Sequence, residues 1–238
     1  MKKINFVLVL FFYCLNAMSQ PSLEGKNILV VYGGWEGHKP EIFANKIASW
    51  LKEKKANVTL SQSTSSYTDK TLMDSLDLII QHITMSEISE KESAGLRKAV
   101  ASGVGLAGCH GGLGDSFRND TEFQYMVGGQ FVSHPGGQIK YKINILDKND
   151  PITRDIYDFE LTTEQYYLHI DPMIEVLATT KFSGENDYWI DGVEMPVIWK
   201  KAYGKGRVFY SALGHSEDIF EISEAWNLMT RGIEWAVK

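Results

Sequence analysis

A cysteine and a histidine lie side by side among glycines at the point where a short apolar segment ends. The segment "VGLAGCHGGLGDSF" covers residues 104–117 and contains Cys109 and His110. A strand that ends in a sharp turn flanked by glycines is typical of a nucleophile elbow, in which neighbouring backbone leaves no room for a Cβ atom. The motif therefore predicts a chemically active side chain at this turn.

Two registers of the elbow fit the sequence, and they lead to different chemistry. If Cys109 is the central residue, the turn presents a thiol, and the residues two positions away are an alanine and a glycine. If His110 is central, both of those residues are glycines, and the turn presents an imidazole that can act as general acid, general base or metal ligand. The glycines favour His110, so we expect Cys109 to be buried and unreactive.

Most of the other histidines follow predicted strands. His38, His134, His169 and His215 fall in loops beside glycine, proline or carboxylates, whereas His82 ends an apolar run and is expected to be structural. Loops at the carboxyl ends of parallel strands meet at one edge of a sheet, so we expect His38, His110 and His215 to share a cleft. Their spacing does not match a local metal-binding motif. A metal site would need residues from distant segments.

The elements that would position these residues alternate between strand and helix in the first half of the chain. Apolar runs over residues 26–34 and 76–83 predict strands, and residues 40–56 and 89–103 have helical spacing. This alternation predicts an α/β fold with a doubly wound, mostly parallel sheet. After Gly128 the pattern changes, and β-rich additions are expected in the C-terminal half.

The N-terminus and the composition restrict the class of protein. Residues 1–19 combine two lysines, an apolar run and small residues before a cleavage point, which predicts a signal peptide followed by one domain over residues 20–238. The apolar run is too short for a stable membrane anchor. We therefore expect an exported protein, periplasmic or extracellular. The net charge of −6 is of mixed sign without basic patches, which argues against nucleic acid as a partner.

Several motifs, in order along the chain, resemble the ThuA-like, or trehalose-utilisation, family. They are "GCHGGLGDSF", "MVGGQFVSHPGG", "DPITRDIYDFELTTEQYY", "VIWKKAYGKGRVFYSALGHSEDIF" and "RGIEWA". The resemblance implies a flavodoxin-like fold of the class I glutamine amidotransferase type and a role in carbohydrate catabolism, in the processing of keto-sugars. Carried over by matching motif, it places one pocket around His38, His110, His134, Glu164 and His215.

These observations lead to one main hypothesis and two alternatives. The main hypothesis is an enzyme that isomerises or eliminates across a keto-sugar, with His38, His110, Glu164 and His215 as catalytic residues. A histidine or a divalent metal would stabilise the enolate, and Glu164 or a second histidine would take the proton. The residues expected to bind the sugar are Trp35, Asp115, His134, Tyr166 and His169.

The alternatives are a cysteine hydrolase that uses Cys109 and His110, and a catalytically silent sugar-binding module. An oxidising medium argues against an activated lone thiol. In each case the expected partner is a small carbohydrate. The cofactor is left open, with a divalent metal as one choice and His38, His110 and His215 as its candidate ligands, and no oligomeric state follows from these motifs.

Overall fold

The structure is a computed structural model that describes residues 22–238. The predicted signal peptide, residues 1–19, lies outside the described residues. The strands are β1 (Asn27–Gly34), β2 (Asn57–Ser61), β3 (Leu78–Thr84), β4 (Gly105–Cys109), β5 (Gly129–Ser133), β6 (Gln138–Ile145), β7 (Phe159–Glu164), β8 (Tyr167–Ile170), β9 (Glu175–Lys181), β10 (Glu194–Tyr203) and β11 (Gly206–Ser211). The helices are α1 (Pro40–Glu53), α2 (Lys70–Ser75), α3 (Glu90–Ser102), α4 (Gly111–Gly114), α5 (Thr121–Val127) and α6 (Ser223–Ala236).

A nine-stranded sheet forms the centre of the part of the chain that the structure describes. Its strand order is β2-β1-β3-β4-β11-β10-β9-β6-β7, and the first five strands are parallel. The central strands are buried on both faces, which explains their unalternating apolar sequences. Helix α1 packs beside α6, and α3 packs beside α2 and α5, so that helices cover the sheet. The predicted doubly wound α/β fold is confirmed.

Local sequence signals account for the ends of several elements. Helix α3 begins with a complete capping box, in which Ser89 and Glu92 exchange side-chain and backbone contacts. Helix α1 ends three residues before the predicted residue 56. The reason is that Lys55 adopts a left-handed φ of 61°, which turns the chain towards β2. Strands β10 and β11 form an antiparallel hairpin, with Tyr203 paired to Gly206.

The C-terminal half adds antiparallel strands to the sheet. Strand β6 pairs with β9 only through Asn144 and Ile145, whereas residues 138–143 pair with β7 alone. The β6–β7 ribbon therefore leaves the sheet, and the end of β7 returns to the carboxyl ends of β4 and β11. Strands β5 and β8 form a separate two-stranded sheet at the same edge. Among residues 22–238, no helix has the length and apolar character needed to span a membrane.

Candidate functional site

The elbow after β4 is centred on His110. This residue has φ 49° and ψ −144°, a strained backbone conformation for a residue with a side chain. A Cβ atom on the following Gly111 would lie 2.7 Å from the His38 ring, and one on Gly112 would lie 2.1 Å from the His82 ring. The turn thus needs glycines because three histidine-bearing segments converge on it.

Cys109 is fully buried. Its Sγ lies 3.9 Å from Nδ1 of His82, and burial raises the pKa of the thiol. His82 stacks on Phe43, with ring centroids 4.0 Å apart, and its Nε2 faces the His38 carbonyl oxygen. The expectations that Cys109 is buried and that His82 packs in the core are confirmed.

We predict that a Cys109→Ser variant retains most of the wild-type activity. Burial raises the pKa of the thiol and so favours its unreactive, protonated form, and its removal should take no catalytic group away. Turnover measured on the folded variant should stay within a few-fold of wild type. A loss of about 10²-fold or more, the scale for removal of an acid or base, would show that Cys109 takes part in the chemistry.

Both ring nitrogens of His110 have polar contacts within the protein. Its Nδ1 lies 2.9 Å from the carbonyl oxygen of Ala212, and its Nε2 lies 3.0 Å from Oε2 of Glu164. The Tyr166 ring stacks on the imidazole at 4.0 Å, and the Tyr210 hydroxyl donates to the His110 carbonyl. Burial lowers the pKa of His110, and the contacts with Glu164 and Ala212 oppose part of that shift.

His38 reaches the same point from the end of β1. It ends a single 3₁₀ turn, Glu36–His38, and its Nδ1 lies 3.0 Å from the hydroxyl of Thr84, the last residue of β3. The ring meets His110 edge-on at 4.8 Å and His215 at 5.4 Å. Burial lowers the pKa of His38 to about 3, with a further contribution from the neighbouring histidines.

Glu164 and His215 complete the cluster from two different strands. Glu164 ends β7, and His215 follows β11 with a left-handed φ of 81°. The Thr163 hydroxyl donates to the Gly214 carbonyl and so ties the two segments together. Nδ1 of His215 lies 3.1 Å from Oε1 of Glu164. Burial raises the pKa of Glu164, but the surrounding imidazoles outweigh burial and lower it to about 2.

We define the histidine–glutamate cluster as His38, His110, Glu164 and His215. One potential ligand atom from each of the four residues lies within 4.8 Å of the other three. The expected cleft containing His38, His110 and His215 is therefore present, and Glu164 adds an oxygen donor. The pKa values of both His110 and Glu164 are lowered, which describes a neutral imidazole facing an ionised carboxylate.

Two partly exposed side chains lie next to the cluster. The Trp35 ring meets His38 edge-on at 4.8 Å and is 45% exposed. Nε2 of His134 lies 3.8 Å from Oε1 of Glu164, and the His134 side chain is 41% exposed. Tyr166, although predicted to bind sugar, is buried and stacks on His110. Trp35 and His134 thus join the buried cluster to the protein surface.

Two residues predicted to bind sugar have other surroundings. Asp115 is buried, and its carboxylate accepts both hydrogen bonds from the guanidinium of Arg118 and one from Gln130. The acceptor capacity expected for a sugar is thus used within the protein. His169 is exposed on β8 opposite Gln130, and it is not part of the cluster. Its role as a sugar ligand stays a prediction without a contact to support it.

Sequence reasoning did not identify three groups that orient the cluster. Thr84 positions His38, the Ala212 carbonyl positions His110, and Thr163 holds the loop of His215. Thr84 directly follows the apolar run that predicted β3, so its position at the carboxyl end of a strand could have identified it as a site residue. Unusual backbone conformations are also concentrated at the site. Among residues 22–238, six non-glycine residues have positive φ, and four of them belong to the cluster or follow one of its contacts directly. They are Lys39, Met85, His110 and His215.

Comparisons with known proteins agree with the fold and the motifs. A family model described as "ThuA: Trehalose utilisation" matches residues 27–236. A ThuA-like protein from Bacteroides uniformis is 16% identical, with a TM-score of 0.74 over 94% of this chain and 95% of that chain. A ThuA-like protein from Parabacteroides merdae is 19% identical, with a TM-score of 0.73 over 90% of each chain. No functionally curated protein matches the sequence.

Proposed function

Because the chain belongs to the ThuA, or trehalose-utilisation, family, we propose that it is an enzyme that moves a proton beside the carbonyl group of a keto-sugar. The reaction is an isomerisation or an elimination. The observation that carries this proposal is the histidine–glutamate cluster, which lies at the carboxyl edge of the sheet with the partly exposed side chains of Trp35 and His134 beside it. Such an edge is where doubly wound folds bind their ligands.

The chemistry needs two functions that different parts of the site supply. A hydrogen on the carbon next to a carbonyl becomes acidic when the resulting enolate oxygen is stabilised. The cluster supplies that stabilisation through an imidazole N–H group or through a cation that it holds. A second group must take the proton and return it, and it must be reachable from solvent by the substrate.

His134 fits the second function better than Glu164. Both oxygens of Glu164 face imidazoles, with Oε2 near His110 and Oε1 near His215, so neither is free to approach a substrate carbon. Nε2 of His134 lies 3.8 Å from the same carboxylate, and the His134 side chain is partly exposed. We therefore assign proton transfer to His134, the second histidine that the main hypothesis allowed, and recognition of the sugar face to Trp35.

The cysteine hydrolase gains no support from the geometry. Cys109 is buried beside His82, and the His110 ring is directed to Ala212 and Glu164 instead of the thiol. A nucleophile needs its base within hydrogen-bond reach. The lysine and arginine side chains that lower a thiol pKa have no contact with Cys109 among the described residues, where burial alone determines the shift.

Solvent exchange tests the proposed function. In D₂O, the wild-type protein should catalyse loss of the proton signal next to the carbonyl in one member of a panel of keto-glucosides oxidised at C2, C3 or C4, followed by proton NMR. His134→Gln should slow this exchange by about 10²- to 10⁴-fold, the usual contribution of a positioned acid–base group. Glu160→Gln, on the exposed face of β7, is the matched control and should exchange like wild type.

Two results would contradict this function. If no keto-glucoside exchanges or reacts above the protein-free control, the proposed reaction is wrong. If His134→Gln exchanges at the wild-type rate, proton transfer belongs to another group.

The site of action is part of the same proposal. Residues 1–19 have the features of a signal peptide, so we propose that the enzyme works on a sugar outside the cytoplasm. N-terminal sequencing of the protein recovered from the periplasm or medium should begin at residue 20. Recovery of the full chain from the cytoplasm alone would contradict export.

A further inference from the structure

The contacts of the two His110 ring nitrogens leave two hydrogen-bond acceptors facing each other. A carbonyl oxygen only accepts hydrogen bonds, so Nδ1 of His110, 2.9 Å from the Ala212 oxygen, must carry the hydrogen. In the neutral ring Nε2 then has a lone pair and no hydrogen. This lone pair lies 3.0 Å from Oε2 of Glu164, which is also an acceptor. Two acceptors at this distance require a proton or a metal ion to join them.

A shared proton would satisfy only that one pair of atoms. Nδ1 of His215 is buried and has no hydrogen-bond partner in the part of the chain that the structure describes, although it lies 3.1 Å from the other oxygen of Glu164. His38 uses Nδ1 on Thr84, which leaves Nε2 as the nitrogen available to the cluster. One proton bridges two atoms, whereas one metal ion accepts lone pairs from four. The unpartnered nitrogen of His215 thus favours a metal ion.

We propose that His38, His110, Glu164 and His215 bind one divalent metal ion of the zinc class. Three imidazoles and one carboxylate suit zinc, cobalt or manganese better than calcium or magnesium, which prefer oxygen ligands. Tetrahedral zinc with bonds of about 2.0–2.1 Å separates its ligand atoms by about 3.4 Å. The distances from the Glu164 oxygens to His110 Nε2, 3.0 Å, and to His215 Nδ1, 3.1 Å, are slightly shorter than that spacing. The largest distance between the four potential ligand atoms, up to 4.8 Å, is longer.

The surroundings of the cluster match those of metal-binding histidines. Such histidines usually bind a carbonyl, carboxylate or other polar group through their second ring nitrogen, which fixes the tautomer. The Ala212 carbonyl does this for His110 and the Thr84 hydroxyl for His38. A dication with a single carboxylate leaves a net positive charge at the cluster. That this charge polarises a sugar carbonyl rests on the proposed function, whereas metal binding itself does not.

Metal content tests this inference without any substrate. The purified protein would be stripped with a chelator and equilibrated with Zn²⁺, Co²⁺ or Mn²⁺ alone in metal-buffered solutions, and bound metal measured by elemental analysis. We expect one ion per chain and, with Co²⁺, visible absorption bands of a site with nitrogen and oxygen ligands. Glu164→Gln and His215→Gln should each lower the affinity by about 10²-fold or more, because loss of a group that only hydrogen-bonds a ligand already costs about 10- to 100-fold.

The matched control is again Glu160→Gln, which should bind one ion with wild-type affinity. Circular dichroism of each metal-free variant separates loss of a ligand from loss of folding. Absence of stoichiometric metal in the folded wild-type protein, or wild-type affinity in both cluster variants, would overturn the inference. Metal binding without keto-sugar exchange would leave the metal site standing and remove the proposed function.

Discussion

A His215→Ala variant should lose catalysis by about 10²- to 10⁴-fold while remaining folded, because the change removes a group that acts at the reaction centre. The side chain is partly exposed and its Nδ1 has no hydrogen-bond partner among residues 22–238, so little folding energy depends on it. Position 215 has a left-handed φ of 81°, which alanine adopts somewhat less readily than histidine, so a small part of the stability should be lost. Keto-sugar exchange and thermal melting of the metal-free proteins measure the two effects.

The control for this variant is Glu221→Ala, which removes a surface partner of Lys46 and should change neither property. The melting temperature of metal-free His215→Ala should fall by less than about 4 °C, the shift for roughly 1 kcal/mol in a domain of this size. Unfolding of the variant, or a loss of several kcal/mol, would show that His215 stabilises the fold and is not a member of an active site.

Gly112→Ala should strongly destabilise the protein. An added Cβ atom would lie 2.1 Å from Nδ1 of His82 and 2.8 Å from its Cα, so rotation of the side chain cannot relieve the overlap. Inserting a methyl group into a packed core costs about 1–3 kcal/mol, and more where backbone must move. We therefore expect the melting temperature to fall by about 3–10 °C, with loss of metal binding as the elbow shifts.

Gly137→Ala is the comparison for this change. Position 137 lies in a turn with no atom within 4 Å of the added Cβ, although its φ of 67° disfavours alanine. It should lose only the conformational cost of about 1–2 kcal/mol and should keep full metal affinity. If Gly112→Ala melts and binds metal like wild type, the close packing of His82 against the elbow is not required.

The parallel half of the sheet explains why part of the site followed from sequence. His38, His110 and His215 come directly after strands β1, β4 and β11, which are parallel neighbours or near-neighbours, and the rule on carboxyl ends therefore brought them together. The elbow register followed in the same way. The glycines on both sides of His110 are contiguous in sequence and therefore visible as a motif, although the atoms that require them belong to distant segments.

The remaining residues depend on long-range structure that local patterns do not encode. Glu164 ends an antiparallel edge strand, and only the family resemblance placed it near His110; the turn of the β6–β7 ribbon out of the sheet does so in the structure. Asp115 follows β4 closely enough to suggest a site residue, but Arg118 three residues later takes its carboxylate. His169 is exposed because β8 pairs with β5 beside the sheet.

The most direct test of the account is a crystal structure of the metal-loaded protein with a keto-glucoside, including an anomalous map at the metal edge. If the cluster binds a metal ion, one anomalous peak should lie about 2.0–2.3 Å from nitrogens of His38, His110 and His215 and from an oxygen of Glu164. The sugar should lie with its carbonyl towards that peak, between Trp35 and His134. An ordered structure without a peak in the cluster, or with the sugar bound at another surface, would contradict the account.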